Sequence, residues 1–329
     1  MNPEKNHWEA GGMPPMRPGR AIVGMSAVLL PFDPSGKPDW EGLEVLVDRT
    51  FRAGLVPALN MDTGYGPLLS HTQRLEALRI GGTLAKGRKF VAGACVPDRP
   101  GDGFQPEAYR KEIAAIDQAG GIPVLMQSHG LTALGGPELV KAYRDLAGNC
   151  PRGFIGFELG KQFSSAGQIY SLDVYRELLD IPQCLGAKHS SLDRMREWDR
   201  LALRDCYRPD FLVLTGNDLA IDMVMYGSDY LLGLSAFHPE AFALRDRLWR
   251  ERNPHFFHVN DWLQYLGFLT FRDPVPAYKH SAAQFLHLRG LIRHPGTHPD
   301  CPKRPETDLD LMRPILERLE GMIQSCGER

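Results

Sequence analysis

An excess of charge of either sign is missing: 38 basic residues stand against 40 acidic ones in 329, a formal net charge of -2. So even a balance excludes a nucleic-acid polyanion as the main partner. Long apolar runs are also missing. No stretch approaches the roughly 18–20 uninterrupted apolar residues that a membrane helix requires, so no membrane partner is expected. Residues 1–20 carry Trp8 and several prolines but no apolar core segment, and read as an irregular N-terminal arm rather than a secretory signal. Cysteine is sparse: Cys95, Cys150, Cys184, Cys206, Cys301 and Cys326 form no CxxC pair, the usage expected of free thiols in a reducing cytoplasm. No internal repeat and no low-complexity tract occurs. Lysine is scarce too, 10 residues against 28 arginines, which makes any lysine in apolar surroundings conspicuous.

What is present is an alternation. Short apolar runs at 22–30, 56–61, 90–96, 122–126, 153–158, 184–188, 211–215 and 230–234 are bounded by Gly, Pro or polar residues. Strands buried on both faces of a parallel sheet have this character. Amphipathic stretches at 40–53, 70–85, 106–118, 136–147, 172–179, 192–204, 217–226 and 239–252 read as helices between them. Ser70 followed by Gln73 has the form of a capping box, and Pro106 and Pro137 suit a first helical turn. A doubly wound sheet would show a Gly-rich phosphate turn after its first strand, but Pro31-Phe32-Asp33-Pro34 stands there. Eight strand-helix units therefore predict a (β/α)8 TIM barrel over 21–254. Residues 255–329, with helical patterns at 255–271, 276–291 and 308–323, are expected to form a C-terminal helical extension packed on the barrel.

Active sites of such barrels lie at the C-terminal ends of the strands. Among those ends Lys188 stands out, because it closes the run Cys184-Leu185-Gly186-Ala187. Desolvation there disfavours the ammonium and leaves more free amine to attack a ketone carbonyl. The resulting protonated imine withdraws electrons from the adjacent carbon. Lys161 closes another apolar run but sits among Gly160, Gln162 and Ser164, a loop composition. His189 follows Lys188 and, on a strand, points to the opposite side.

These strand ends resemble those of the dihydrodipicolinate synthase/N-acetylneuraminate lyase family of class I aldolases. Ala27-Val28-Leu29-Leu30-Pro31-Phe32 is similar to the family's opening segment. Asp62-Thr63-Gly64-Tyr65 stands where the family has Gly-Thr-Thr-Gly-Glu, and Leu185-Gly186-Ala187-Lys188-His189-Ser190 resembles the segment that carries its Schiff-base lysine. Leu214-Thr215-Gly216-Asn217-Asp218 and Gly233-Leu234-Ser235 resemble two further signals, and Pro276-Ala277-Tyr278-Lys279 resembles the lysine helix of the tail. The resemblance covers roughly residues 20–325 and implies that Lys188 forms the imine.

Departures accompany it. In the family two consecutive threonines hold the carboxylate of a 2-oxo acid; here Asp62 replaces the first and Thr63 remains. A second carboxylate repels the first unless it is protonated, turned away or paired. Phe157 occupies the place of the family's proton-shuttling tyrosine, with Glu158 next to it. A phenyl ring moves no proton, so Tyr65 or Glu158 is expected to do so, with His129 and His189 as further candidates. The family arginine that meets a distal carboxylate is missing near Gln162, which favours a distal substrate end without a carboxylate.

The reading is a metal-independent lyase acting on a 2-oxo acid or related ketone by aldol cleavage, condensation or dehydration. Lys188, Tyr65 and Glu158 are the catalytic candidates. Asp62, Thr63, Phe157, Gly216 and Ser235 are the substrate-binding candidates. No cofactor and no metal is implied, although His294, His298 and Cys301 have a spacing tolerable for zinc. The partner is a small-molecule carbonyl compound, and the resemblance implies a cytoplasmic homo-oligomer, dimer or tetramer. The alternatives are a catalytically altered barrel that binds a small ligand without turnover, and a metal-dependent aldolase using the late His/Cys cluster.

Overall fold

The apolar runs become eight parallel strands that close on themselves in a computed structural model describing residues 13–327. They are β1 (Gly24–Ala27), β2 (Val56–Leu59), β3 (Val91–Ala94), β4 (Ile122–Leu125), β5 (Phe154–Leu159), β6 (Cys184–Ser190), β7 (Leu212–Thr215) and β8 (Asp229–Leu232). Each pairs with the next, and β8 returns to β1 with Leu231 beside Met25. Met25, Ala58, Val91, Val124, Ile155 and Leu231 fill the barrel interior, while Leu43, Val47, Phe90, Phe154 and Phe211 belong to the layer between strands and helices. That alternation is the period-2 consequence of the pleat. It makes the fold a TIM barrel.

Around it run α1 (Trp40–Arg52), α2 (His71–Ala85), α3 (Pro106–Gln118), the short α4 (His129–Thr132), α5 (Gly136–Ala147), α6 (Leu172–Leu179), α7 (Arg194–Tyr207) and α8 (Pro239–Arg250). Asp39 caps α1 by accepting from the Gly42 N–H, and Ser70 and Gln73 form the reciprocal capping box of α2. Between β7 and β8 the expected helix over 217–226 shrinks to a 3-10 segment, Ile221–Tyr226. Asn217 Oδ1 accepts from the Leu219 N–H at 3.0 Å, and Asp218 Oδ1 from the Leu234 N–H at 2.7 Å. Polar side chains that satisfy backbone donors in this way compete with helical bonding.

Three more helices follow: α9 (His255–Thr270), α10 (Tyr278–Leu288) and α11 (Asp308–Gly327). None of the described helices is long and apolar enough to cross a membrane. The first residues of α10 deliver Tyr278 and Lys279 to the open end of the barrel. Residues 1–12 of the expected N-terminal arm lie outside the described residues. The part that is described is docked, with the Arg17 carbonyl accepting from Trp249 Nε1 at 3.0 Å.

The turn after β2 is held by close backbone contact. Asn60 adopts a left-handed φ of 50°, and its carbonyl oxygen would lie 1.9 Å from a Cβ at Gly66 and 2.3 Å from one at Gly93. Backbone cannot retreat as a flexible side chain would, so Gly66→Ala is expected to cost about 2–3 kcal/mol in urea unfolding. Gly103→Ala, with nothing within 4 Å, should stay within about 0.5 kcal/mol.

Candidate active site

The C-terminal strand ends open on a cavity of about 390 Å³, and β6 sets its centre. Phe154 pairs with Cys184 but Ile155 with Gly186, so Leu185 is the extra residue of a bulge. Beyond it Lys188 lies beside Phe157, with its Nζ 4.8 Å from the ring centroid. Lys188 and Ser190 face the cavity, while Ala187 and His189 turn toward the helices. Gly216 at the end of β7 makes the room: a Cβ there would sit 2.5 Å from Lys188 Cε and 2.0 Å from Ser190 Oγ. Burial pushes the Lys188 amine below its ordinary pKa, more than the charges of Asp218 and Asp62 pull it back up. Lys188 is the cavity lysine without an ion pair among the described residues.

Lys279, the other cavity lysine, is committed. Its Nζ donates to Asp62 Oδ1 at 2.9 Å, while the Tyr278 hydroxyl donates to Asp62 Oδ2 at 3.0 Å and lies 2.9 Å from Thr63 Oγ1. Desolvation works against a charge on Asp62, but Lys279 and Tyr278 outweigh it and hold the carboxyl below its usual range. The repulsive residue is therefore paired. Burial, with Asp62 next to it, raises the Tyr278 phenol well above its ordinary pKa, so it stays protonated. Asp218 takes the opposite course. Burial pushes its pKa up to about 6, against the Leu234 N–H and the Lys188 charge.

Among the expected site residues, Asp62, Thr63, Phe157, Lys188 and Gly216 line the cavity. Three do not. Tyr65 is 1% exposed, with its ring packed at 5.3 Å against Phe32 and 5.7 Å against His298, and its left-handed φ of 59° turns the chain there. Ser235 spends its hydroxyl on the Leu232 carbonyl at 2.8 Å. Glu158 alternates with Phe157 on β5 and so faces outward, where Arg200 of α7 donates two bonds at 2.8 and 3.1 Å and His189 a third contact. Burial alone would raise its pKa, but His189 and Arg200 hold it down to about 2. It belongs to a fully buried ion pair of the outer layer, away from the cavity. His189 also meets Ser191 Oγ at 2.6 Å, on the helix side. His129 lies 3.3 Å from Ser165 Oγ and Lys161 is exposed; neither lines the cavity. His298 stacks on Tyr65, and Cys301 donates to the Pro276 carbonyl. Among the described residues no group of three or more His, Cys, Asp or Glu is placed to hold a metal ion.

Sequence reasoning missed Tyr278 and Lys279 as site residues, and Asp218 as more than part of a turn. The Pro276–Lys279 segment was visible as a motif, but nothing local told that α10 reaches the barrel mouth.

No family model matches the chain. A 4-hydroxy-tetrahydrodipicolinate synthase from Porphyromonas gingivalis is 26% identical over 276 residues, covering 82% of this chain and 87% of that protein. A prophage protein of the dihydrodipicolinic acid synthase family from E. coli K12, solved in complex with pyruvate, superposes with a TM-score of 0.77 at 16% identity, over 91% of this chain and 98% of that one. Dihydrodipicolinate synthase from Thermotoga maritima gives a TM-score of 0.75 at 18% identity, over 92% and 99%. The chain resembles the dihydrodipicolinate synthase/N-acetylneuraminate lyase superfamily in the manner of a divergent member.

Two predictions follow from this electrostatic arrangement. In reductively 13C-methylated protein, the Lys188 resonance should titrate below those of exposed lysines, and Asp218→Asn should move it lower still by removing a negative neighbour. Glu158→Gln should destabilise by about 3 kcal/mol, because it leaves Arg200 buried without its counter-charge. Glu158 has a depressed pKa, so its contribution is full above its ordinary value of 4.5 and disappears as pH falls toward 2. Acid unfolding curves of wild type and variant should therefore converge over that interval.

Proposed function

We propose that this chain is a class I aldolase-type lyase in which Lys188 forms an imine with a 2-oxo acid or related ketone. The free amine adds to the carbonyl carbon, and with one added proton the oxygen leaves as water. The protonated imine then accepts the electron pair of a neighbouring bond, so that a carbon–carbon bond can be broken or made, or water eliminated. The observation that carries this reading is the state of Lys188: desolvated, without an ion pair, and inside the barrel mouth. The resemblance to a tetrahydrodipicolinate synthase, and the pyruvate bound to the E. coli relative, support a carbonyl substrate.

The proton work goes to Asp218 rather than to Tyr65 or Glu158. A carboxyl whose pKa is about 6 exchanges protons readily near neutral pH, and it is close enough to Lys188 for each to shift the other's pKa. Thr63 and Tyr278 supply hydroxyls to the same cavity. The cysteines, none of them in a disulfide, suit a cytoplasmic setting.

Borohydride added with a panel of ketones and 2-oxo acids should leave a reduced adduct on Lys188, located by peptide mass analysis. Lys188→Ala should abolish it, Asp218→Asn should slow its formation by about tenfold or more, and Tyr65→Phe should change it less than about twofold. Absence of any Lys188 adduct across the panel would sink the reading.

A further inference from the structure

The cavity offers a carbonyl compound almost no positive charge. Besides Lys188, which the bond itself uses, the only cation lining it among the described residues is Lys279, and Asp62 already neutralises that one at 2.9 Å. Among the described residues no arginine lines it. The amide donors are engaged as well, with Gln127 Nε2 bonded to the Gln168 carbonyl and Gln162 Nε2 to that of Ser191. Two carboxylates, Asp62 and Asp218, act on Lys188. Both favour the cationic iminium; Asp62 is balanced by Lys279, so it is Asp218 that opposes an anionic group held beside it.

Much of the remaining wall is apolar. Met126 and Phe157 line the interior, and Leu68, Phe163 and Leu192 line it while remaining 50%, 36% and 46% exposed. These three belong to three different loops, yet converge on one mouth. Apolar side chains left open around a concave site mark where a ligand's apolar part can be buried.

We propose that the substrate of Lys188 is an uncharged ketone or aldehyde bearing an alkyl or aryl arm, and not a compound with a carboxylate beside its carbonyl. This rests on the imine-forming reading above. Neutral amine, ketone and one proton give iminium and water; the carbonyl oxygen departs in the water. The arm lies against Phe163 and Leu192 at the mouth, and the carbonyl carbon meets Lys188 above Phe157.

The test compares two probes, 4-phenylbutan-2-one and pyruvate, each trapped with borohydride on the wild-type protein. Adduct yield at Lys188 is normalised to that on a free lysine derivative, which removes intrinsic electrophilicity. The expected result is at least tenfold more Lys188 adduct from the phenyl ketone. Asp62→Asn should then raise pyruvate trapping at least tenfold, because it releases the Lys279 ammonium. Equal or greater wild-type trapping of pyruvate overturns the substrate class and leaves the imine reading standing. Adducts from both probes with no gain in Asp62→Asn overturn the charge argument in the same way. No adduct from either probe overturns the imine reading, and this inference with it.

Discussion

One amine without a counter-ion governs the rest of the site. A lysine held in a barrel mouth loses hydration, and the structure does not return that loss as an ion pair. The outcome is a weaker base and a better nucleophile. Several features exist to keep it so. Gly216 leaves the volume that the Lys188 chain needs, Phe157 gives its nitrogen a π face instead of an acid, and Lys279 draws Asp62 into a separate pair. The two cavity lysines are thus opposites: one neutralised and structural, the other uncommitted.

Three carboxylates show how environment divides roles among identical groups. Asp62 is kept charged by a lysine and a phenol, Asp218 is pushed up to about 6 by burial, and Glu158 is locked by an arginine and a histidine outside the strands. Only Asp218 is left able to exchange a proton near neutral pH. The same sorting leaves Asp62 paired with Lys279 in the cavity and Asp218 unpaired beside Lys188.

Much of the architecture was legible in the chain. The strand runs at 56–61, 122–126 and 211–215 needed only trimming, because a run apolar on both faces has no other place to go than between the helical layer and the packed barrel interior. The capping box at Ser70 is a local interaction and was readable as such. The region 217–226 was misread as a helix, since its amphipathic spacing hid the competing bonds of Asn217 and Asp218. Lys188 was visible through its apolar run. Tyr65, Glu158 and Ser235 were assigned to the cavity from their place at the strand ends and in the resembling motifs; strand alternation turns Glu158 outward, a left-handed turn carries Tyr65 into packing against Phe32, and Ser235, in a 3-10 segment, bonds the Leu232 carbonyl.

The sequence by itself determined the order of strands and helices, the lone lysine at the end of the sixth strand, and the presence of an acid where a threonine is usual. The first two follow from local periodicity and residue type; the third follows from the resemblance to the dihydrodipicolinate synthase/N-acetylneuraminate lyase family. Only the tertiary structure decided that α10, 216 residues beyond Asp62, brings Tyr278 and Lys279 onto it. It alone decided that Glu158 belongs to Arg200 and that Asp218 remains for Lys188. Pairing between charges depends on distance through space, and chain position does not encode that distance until the barrel has closed.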